Sequence, residues 1–316
     1  MPSEAPSGRV NYPSNFQVEN GWNLFLAGDY LYWMASADGL YFAQTGASEE
    51  GGIVAFDGTI KRIDPEWASG VRASVGITFP KQGYDLLLTW TYFSLNSHTS
   101  AHSEESTLLP LWATADFPTF AASYASGKWN LNLNLLDLEW GRSSWFGGHF
   151  SLRPFFGLRG ASIHQTFDSN FDLASTLTSH IHSKSDVEGG GLRAGCDLRC
   201  ALPHGFAIYG LASGSLLYAE INNGLRVLEK RFCFARTKDH NHTGISSLQL
   251  GLGLGWDTHF AKERLHIQWH LGWEQNIWYG ANQMNHFMNQ ISSGYYFKES
   301  STLSTGGLTA GGRFDF

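Results

Sequence analysis

The sequence lacks the features of most soluble and helical proteins. Charged residues make up only 16% of its 316 residues, well below the ~25% usual in soluble domains. It contains no run of about 20 apolar residues, which excludes a transmembrane helix. Four Met against 36 Gly, with no heptad stretch, disfavour helical bundles and coiled coils. The 21 Lys and Arg are scattered in a chain of net charge −7, so nothing points to nucleic-acid binding.

Cysteines are scarce, and the first residues show no signal-peptide pattern. Of the three cysteines, Cys196 and Cys200 are four positions apart on a predicted strand, so their Cα atoms lie ~13 Å apart. That separation is too large for a mutual disulfide. Residues 1–15 are polar and rich in Pro and Ser, without the apolar centre of a signal peptide. We expect a mature chain whose signal has been removed, with Met1 added for expression.

What the chain does have is strict alternation of apolar and polar residues. Between Glu66 and Phe79, six of the seven odd positions are apolar, against one of the seven even positions. This period of two predicts a strand with one apolar face. After a turn at 80–83 the pattern resumes at Tyr84, which predicts a hairpin. The same pattern predicts ten strands, near 22–35, 66–79, 84–93, 128–142, 149–163, 187–201, 206–219, 245–257, 264–278 and 303–316.

The connections between these strands alternate between short and long. Short ones lie at 80–83, 143–148, 202–205 and 258–263, and long polar ones at about 36–65, 94–127, 164–186, 220–244 and 279–302. This plan predicts an all-β fold, a transmembrane antiparallel β-barrel of about ten strands with short periplasmic turns and long extracellular loops. Twelve strands would result if loops formed hairpins. Residues 1–21 are expected to be a flexible periplasmic segment that could plug the barrel, and 22–316 a single barrel domain.

A soluble sandwich or lipocalin-like barrel is the alternative, since half-buried strands of soluble sheets also alternate. The charges at polar-phase positions are Arg and acidic residues without Lys, among Gly, Ser, Thr and Asn, which favours a confined lumen with paired charges. Eight acids and six bases nearly balance, which predicts weak, slightly cationic selectivity. The predicted pore-lining residues are Asp29, Glu66, Arg72, Asp85, Asp137, Glu139, Arg153, Arg159, Arg193, Asp197, Arg199, Glu274, Arg313 and Asp315.

One strand departs from the pattern. Between Trp129 and Trp140 the apolar phase shifts at Leu135 and Leu136. We therefore predict a β-bulge there, which would keep Asp137 and Glu139 directed inward. Without a bulge these carboxylates would face lipid, which is unfavourable.

Several segments resemble a known family. The runs 22–33, 67–72, 85–93, 136–142 and above all Leu152 to Gly160 resemble pore-forming outer membrane proteins of Legionella and environmental chlamydiae, which are distantly similar to chlamydial major outer membrane proteins. The resemblance spans Trp22 to Phe316 and implies passive diffusion of small hydrophilic solutes. Phe314 and Phe316 match the terminal signal by which such barrels are recognised for assembly. Three cysteines do not support the cross-linked envelope network of cysteine-rich chlamydial proteins.

The sequence evidence for a metal site or a catalytic site is weaker than the evidence for a β-barrel. The pairs His98/His102, His180/His182 and His240/His242 fall in predicted loops without an adjacent set of Cys or carboxylates, so we expect solvated side chains and no metal or other cofactor. A rim protease of the omptin type could use Asp239, His240 and Asp186, but no motif supports one and we expect no enzyme. The Gly-rich runs 189–191 and 251–255 lack the strand-to-helix context of a phosphate loop.

The leading hypothesis is an outer-membrane porin-like channel. Eight-stranded barrels are filled by side chains and wide pores need 16 to 18 strands, so ten strands allow a narrow pore at most. The rival is a closed structural barrel or an adhesin using its long loops. Expected partners are outer-membrane lipid and lipopolysaccharide, the barrel assembly machinery and, as an alternative to a monomer, further copies of the chain.

Overall fold

The structure is a computed structural model dominated by ten long antiparallel strands. It describes residues 12–14, 23–50, 53–79, 81–103, 108–112, 122–146, 149–173, 177–229, 232–260, 265–287, 296–298 and 301–316. The strands are β1 (Leu24–Ala37), β2 (Trp67–Phe79), β3 (Tyr84–His102), β4 (Ala122–Arg142), β5 (Phe150–Leu173), β6 (Leu177–Ala201), β7 (Phe206–Glu229), β8 (Phe232–Phe260), β9 (Leu265–Asn282) and β10 (Ser301–Asp315).

The ten strands close into a barrel. Each strand pairs with its neighbours in the chain, and β10 returns to β1 in a ladder that runs from Leu303 opposite Ala37 to Asp315 opposite Phe25. The predicted antiparallel barrel of ten strands is therefore confirmed. Among the described residues, no helix is long and apolar enough to cross a membrane.

The barrel wall is much taller on one side than on the other. Strands β5 to β8 have 24, 25, 24 and 29 residues, whereas β1, β2 and β10 have 14, 13 and 15. At ~3.3 Å per residue and a tilt of ~40°, β8 spans ~73 Å and β1 spans ~35 Å. The long loops predicted at 164–186 and 220–244 are mostly strand, so that part of the prediction is wrong. The tall wall extends far beyond the ~25 Å apolar band of a membrane barrel.

Strand β4 shows how the wall changes character along its length. Its odd-numbered residues point inward throughout: Trp129, Leu131 and Leu133 are at most 1% exposed, and Asp137 and Glu139 are buried. Its register with β3 and β5 is continuous through Leu135 and Leu136, so the predicted bulge is wrong.

The apparent phase shift in β4 arises because the surroundings of the strand differ between its two halves, while its side chains keep the same alternation. In the half nearer the short turns, outward residues such as Leu136, Leu138 and Trp140 are apolar and exposed. In the other half the outward residues are polar, as in the hydrogen bond of 3.1 Å from Asn130 to Thr166, and the inward residues are apolar. The wall is therefore built like a membrane barrel below and like a soluble barrel above.

The interior of the upper half is a packed apolar core. Buried residues from β1 and from β3 to β10 join in one cluster. A small three-stranded sheet of Tyr41–Gln44, Ile60–Arg62 and Leu109–Pro110 inserts into it. We call this sheet with its flanking residues 39–50, 53–64 and 108–112 the cap. Trp112 of the cap packs on Phe167 of β5 at 4.8 Å between ring centroids.

The N-terminal segment contacts the opposite end of the barrel. Residues Tyr12–Pro13 pair with Ser144–Phe146 in the turn between β4 and β5. Ser14 adds a hydrogen bond of 2.6 Å between its Oγ and that of Ser151. The rest of residues 1–21 lies outside the described part of the chain, so the predicted plug stays a prediction.

Candidate functional site

A network of buried ion pairs crosses the lumen below the apolar core. Arg159 of β5 makes two hydrogen bonds of 2.6 Å to Asp137 of β4, and the two side chains are 2% and 6% exposed. Arg193 of β6 donates to Glu139 at 2.9 Å and lies 3.9 Å from Asp137. Bidentate, desolvated pairs of this kind fix the geometry of the groups they join. They make the centre of the lumen a rigid layer.

A third guanidinium gathers three carboxylates nearer the periplasmic end. Arg153 contacts Asp85 at 2.5 Å, Asp197 at 2.8 Å and Glu139 at 3.3 Å. Asp85 belongs to β3 and Asp197 to β6, so this one side chain ties strands on both sides of β5 together. The planar fork of five donors makes Arg suited to such multiple pairing.

Gln249 connects these pairs to the far wall. It accepts a hydrogen bond from Arg193 at 2.9 Å and donates to Glu274 at 3.3 Å. Glu274 in turn binds Arg72 through two bonds of 2.9 and 2.7 Å, and Arg72 reaches Asp29 at 3.2 Å. Sequence reasoning missed Gln249 because it is neutral, although its inward phase between Leu248 and Leu250 was a usable signal.

A separate polar cluster lies at the periplasmic end. Arg199 pairs with Asp257, and Arg313 contacts Asp315 at 2.5 Å. The buried His266 lies 2.8 Å from Asp315. His266 and Asp257 were not among the predicted residues, since both fall beside the turn between β8 and β9.

Thirteen of the fourteen predicted pore-lining residues thus lie within these two clusters. Glu66 does not. It precedes the first residue of β2 and is exposed.

Two cavities lie in the described part of the lower lumen. The larger, of about 370 Å³, lies between the periplasmic cluster and the central network. The smaller, of about 160 Å³, lies inside the network itself. The larger cavity is lined by residues that include Ser14, Asp85, Arg153, Asp197, Arg199 and Arg313. Apolar side chains such as Phe25, Leu87 and Phe206 line it as well, so the lower lumen holds a mixed chamber large enough for several waters or a small solute.

Tryptophan rings form the floor of the apolar core. The Arg72 guanidinium lies 5.7 Å from the ring centroid of Trp33, and that of Arg159 lies 5.5 Å from Trp278. Both rings are at most 1% exposed. Each cation–π contact in such a dry place contributes on the order of 1–2 kcal/mol. The ionic layer and the apolar core are therefore packed directly against each other.

The outer face carries two groups of aromatic rings. Tyr32 and Trp67 stack at 4.9 Å near the upper limit of the apolar surface. Phe79 stacks on Trp140 at 6.1 Å beside the periplasmic turns. Trp67 and Phe79 are twelve positions apart on β2, a height of about 30 Å. The two groups match the aromatic girdles of a barrel in a bilayer, and Phe314 and Phe316 are also exposed on this face.

The tall wall carries four of the six histidines that were predicted to lie in loops, and β3 carries His98 and His102. His240 and Asp239 are adjacent on β8 and point to opposite faces, so the structure does not bring them together. Asp186 instead contacts His164 at 2.9 Å, and His164 contacts the Ser162 hydroxyl at 3.0 Å.

Asp186, His164 and Ser162 therefore contact one another in the same order as the Asp, His and Ser of a hydrolase triad. However, the register partner of Ser162 on β6 is Glu188, another acidic residue. The neighbouring backbone groups belong to the strand ladder. The expectation of a non-enzyme stays a prediction.

The barrel, its girdles and its ion-paired lumen can now be compared with known proteins. A family model described as the Legionella pneumophila major outer membrane protein precursor matches residues 16–316. The chain belongs to this family. The resemblance inferred from sequence is confirmed, and so is the location in a bacterial outer membrane.

Solved structures give the same fold for this Legionella-type barrel. Outer membrane protease OmpT from Escherichia coli aligns with a TM-score of 0.51 at 10% identity, covering 94% of this chain and 98% of the other. The translocator domain of autotransporter NalP from Neisseria meningitidis aligns at 0.33 and 11% identity, covering 94% and 90%. At such identities the OmpT match supports the barrel fold alone. No curated protein matches the sequence.

Proposed function

We propose that this outer-membrane barrel is closed across its lumen and serves as a structural component of the cell envelope. The observation that carries the proposal is the pair of stacked layers inside the wall. The central ion pairs are almost fully buried, and the apolar core above them joins side chains from nine of the ten strands. A solute moving through would have to break both layers.

The energetics favour a layer that stays shut. The core side chains Phe42, Phe93 and Leu131 have no exposed surface. Burying each side chain of this kind contributes about 1.5–3 kcal/mol. Opening a path through the core would expose several of them at once, and that cost greatly exceeds thermal energy. The barrel then works as a wall anchored in the membrane, with its tall side presented outside.

Single-channel recording tests this proposal. The folded protein, verified in the same vesicles by its shift in gel mobility on heating, should produce no discrete conductance steps in planar bilayers. Liposomes that contain it should not swell in small sugars. Regular conductance steps in most recordings, or swelling that scales with protein content, would refute a closed barrel.

A passive diffusion pore is the second candidate. The chamber of about 370 Å³, with charged side chains of the lumen in its lining, supports it. Such a pore needs the cap to leave the core. The cap is held to β3 by hydrogen bonds from Ser97 to the Asp64 carbonyl at 2.7 Å and from the Asp64 amide to Thr99 at 3.0 Å.

A disulfide tether separates the two candidates. Cysteines at 64 and 99, in a chain whose three native cysteines are replaced by serine, would hold the cap in place. A pore would then conduct only after reduction, with weak and slightly cationic selectivity. A closed barrel would be silent in both states.

A further inference from the structure

We propose that Glu220, His240 and His242 form a surface site for Zn²⁺ or a transition-metal dication of similar ligand preference. The three residues lie on the outer face of the tall wall, on β7 and β8. One donor atom from each lies within 4.8 Å of the others. Two imidazoles and one carboxylate are a known ligand set for zinc with a fourth position left open.

The strand geometry explains why these residues meet. His240 and His242 are two apart on β8, so both side chains point outward. Glu220 is the register partner of His242 on β7. Side chains directly opposite on antiparallel strands lie ~5 Å apart at Cβ. Twenty positions separate Glu220 from His240 in the sequence, so spacing along the chain does not reveal that this carboxylate lies beside the histidine pair.

Neighbouring side chains hold the three ligands in position. Asn222 donates to Glu220 at 2.9 Å, and its carbonyl oxygen lies 2.7 Å from Nδ1 of His240. His242 stacks on Tyr218 at 5.8 Å with parallel rings. Partners of this kind orient metal ligands and set the histidine tautomer. The site is therefore partly organised before any ion binds.

The local charge distribution independently favours a cation. Glu188 of β6 is the register partner of Glu220, and both side chains are exposed on the same face. Like charges directly opposite on neighbouring strands destabilise a sheet. The nearby Lys184 pairs with Asp186 at 2.5 Å. A dication bound by Glu220 would offset the repulsion between the two glutamates.

The donor set selects the kind of ion. Calcium and magnesium prefer oxygen ligands, whereas imidazole suits zinc, copper and nickel. The side chains of His240 and Glu220 are 54% and 47% exposed, so an ion has direct access from solution. Small rotations would bring the donors to the ~2.0–2.2 Å that zinc requires.

Zinc titration of the folded full chain, without a polyhistidine tag, tests the site. In calorimetry, the wild type should bind one Zn²⁺ ion per chain with higher affinity than any further Zn²⁺ ions. When Co²⁺ replaces Zn²⁺, it should show the visible absorption of a four-coordinate ion. His240→Ala/His242→Ala should lose this site. Glu220→Gln should weaken it at least tenfold, and Asn222→Ala about tenfold, the effect typical of a residue that orients a ligand. Affinity should fall on acidification because the ligands must be deprotonated.

The matched control is His98→Ala/His102→Ala. It removes two exposed histidines from β3, far from the site, and should bind zinc like the wild type. Equal isotherms for the wild type and His240→Ala/His242→Ala would overturn the proposal. An unchanged affinity in Glu220→Gln would overturn the three-ligand site. If the double variant does not fold, as judged by its gel mobility on heating, Glu220→Gln alone decides.

Discussion

The buried pair of Arg159 and Asp137 offers a test of whether the lumen is dry. Removing one partner of a buried ion pair typically costs about 3–5 kcal/mol, because the remaining charge is left uncompensated. In a water-filled pore the same pair would be screened and worth about 0–1 kcal/mol. The free energy of unfolding therefore reports the state of the lumen without any transport assay.

The surroundings of the pair predict an asymmetry between the two single variants. In Arg159→Met, Asp137 still lies 3.9 Å from Arg193, so we expect the low end of the range, about 3 kcal/mol. In Asp137→Leu, Arg159 keeps the neutral Ser247 at 3.2 Å, the neutral Gln249 at 3.5 Å and the Trp278 ring, so we expect about 5 kcal/mol. The double variant should recover much of the loss, since no unpaired charge remains.

Urea unfolding in lipid vesicles, followed by tryptophan fluorescence, measures these differences. A double-mutant cycle should give a coupling energy above about 2 kcal/mol, within the range for groups in contact. Single losses below about 1 kcal/mol that add in the double variant would show a hydrated, screened pair. That result would refute both the dry ionic layer and the closed barrel.

Three further predictions follow from the wall and the lumen. Gly157→Ala should prevent or strongly impair folding because its Cβ would collide with the Leu138 carbonyl, whereas Gly190→Ala, with 3.8 Å of room, should fold normally in the same refolding assay. Arg153→Met leaves three carboxylates together, so its stability deficit in urea should shrink on acidification as they take up protons; a deficit that grows would contradict this. Phe316→Ser should lower the yield of folded barrel in outer membranes but not the refolding yield in detergent, and equal membrane yields would argue against an assembly signal.

The lower half of the barrel was predictable from sequence because one rule holds there. Outward residues are apolar and inward residues polar, so the alternation at Glu66 to Phe79 and from Tyr84 onward marked the strands and the short turns between them. The charges of the lumen followed from the same phase. The prediction for Glu66 was wrong because this residue lies one position before its strand, where the alternation no longer determines which way a side chain points.

The upper half could not be predicted because the rule reverses there. Once a strand leaves the membrane, its apolar residues face the core and its polar residues face water, so the period of two continues with the opposite meaning. At Leu135 and Leu136 this reversal resembled a bulge, and in 164–186 and 220–244 it resembled a polar loop. The zinc ligands were hidden for a related reason, since cross-strand register is not visible in one chain.

The tall wall of β5 to β8 has a consequence for immune recognition. Any patch of its outer surface combines side chains from several strands, as Glu188, Glu220 and His242 do in one row. Antibodies against this wall should therefore recognise conformational epitopes that vanish when the protein is boiled in detergent. Sera raised against linear peptides from the same segments should bind intact cells poorly.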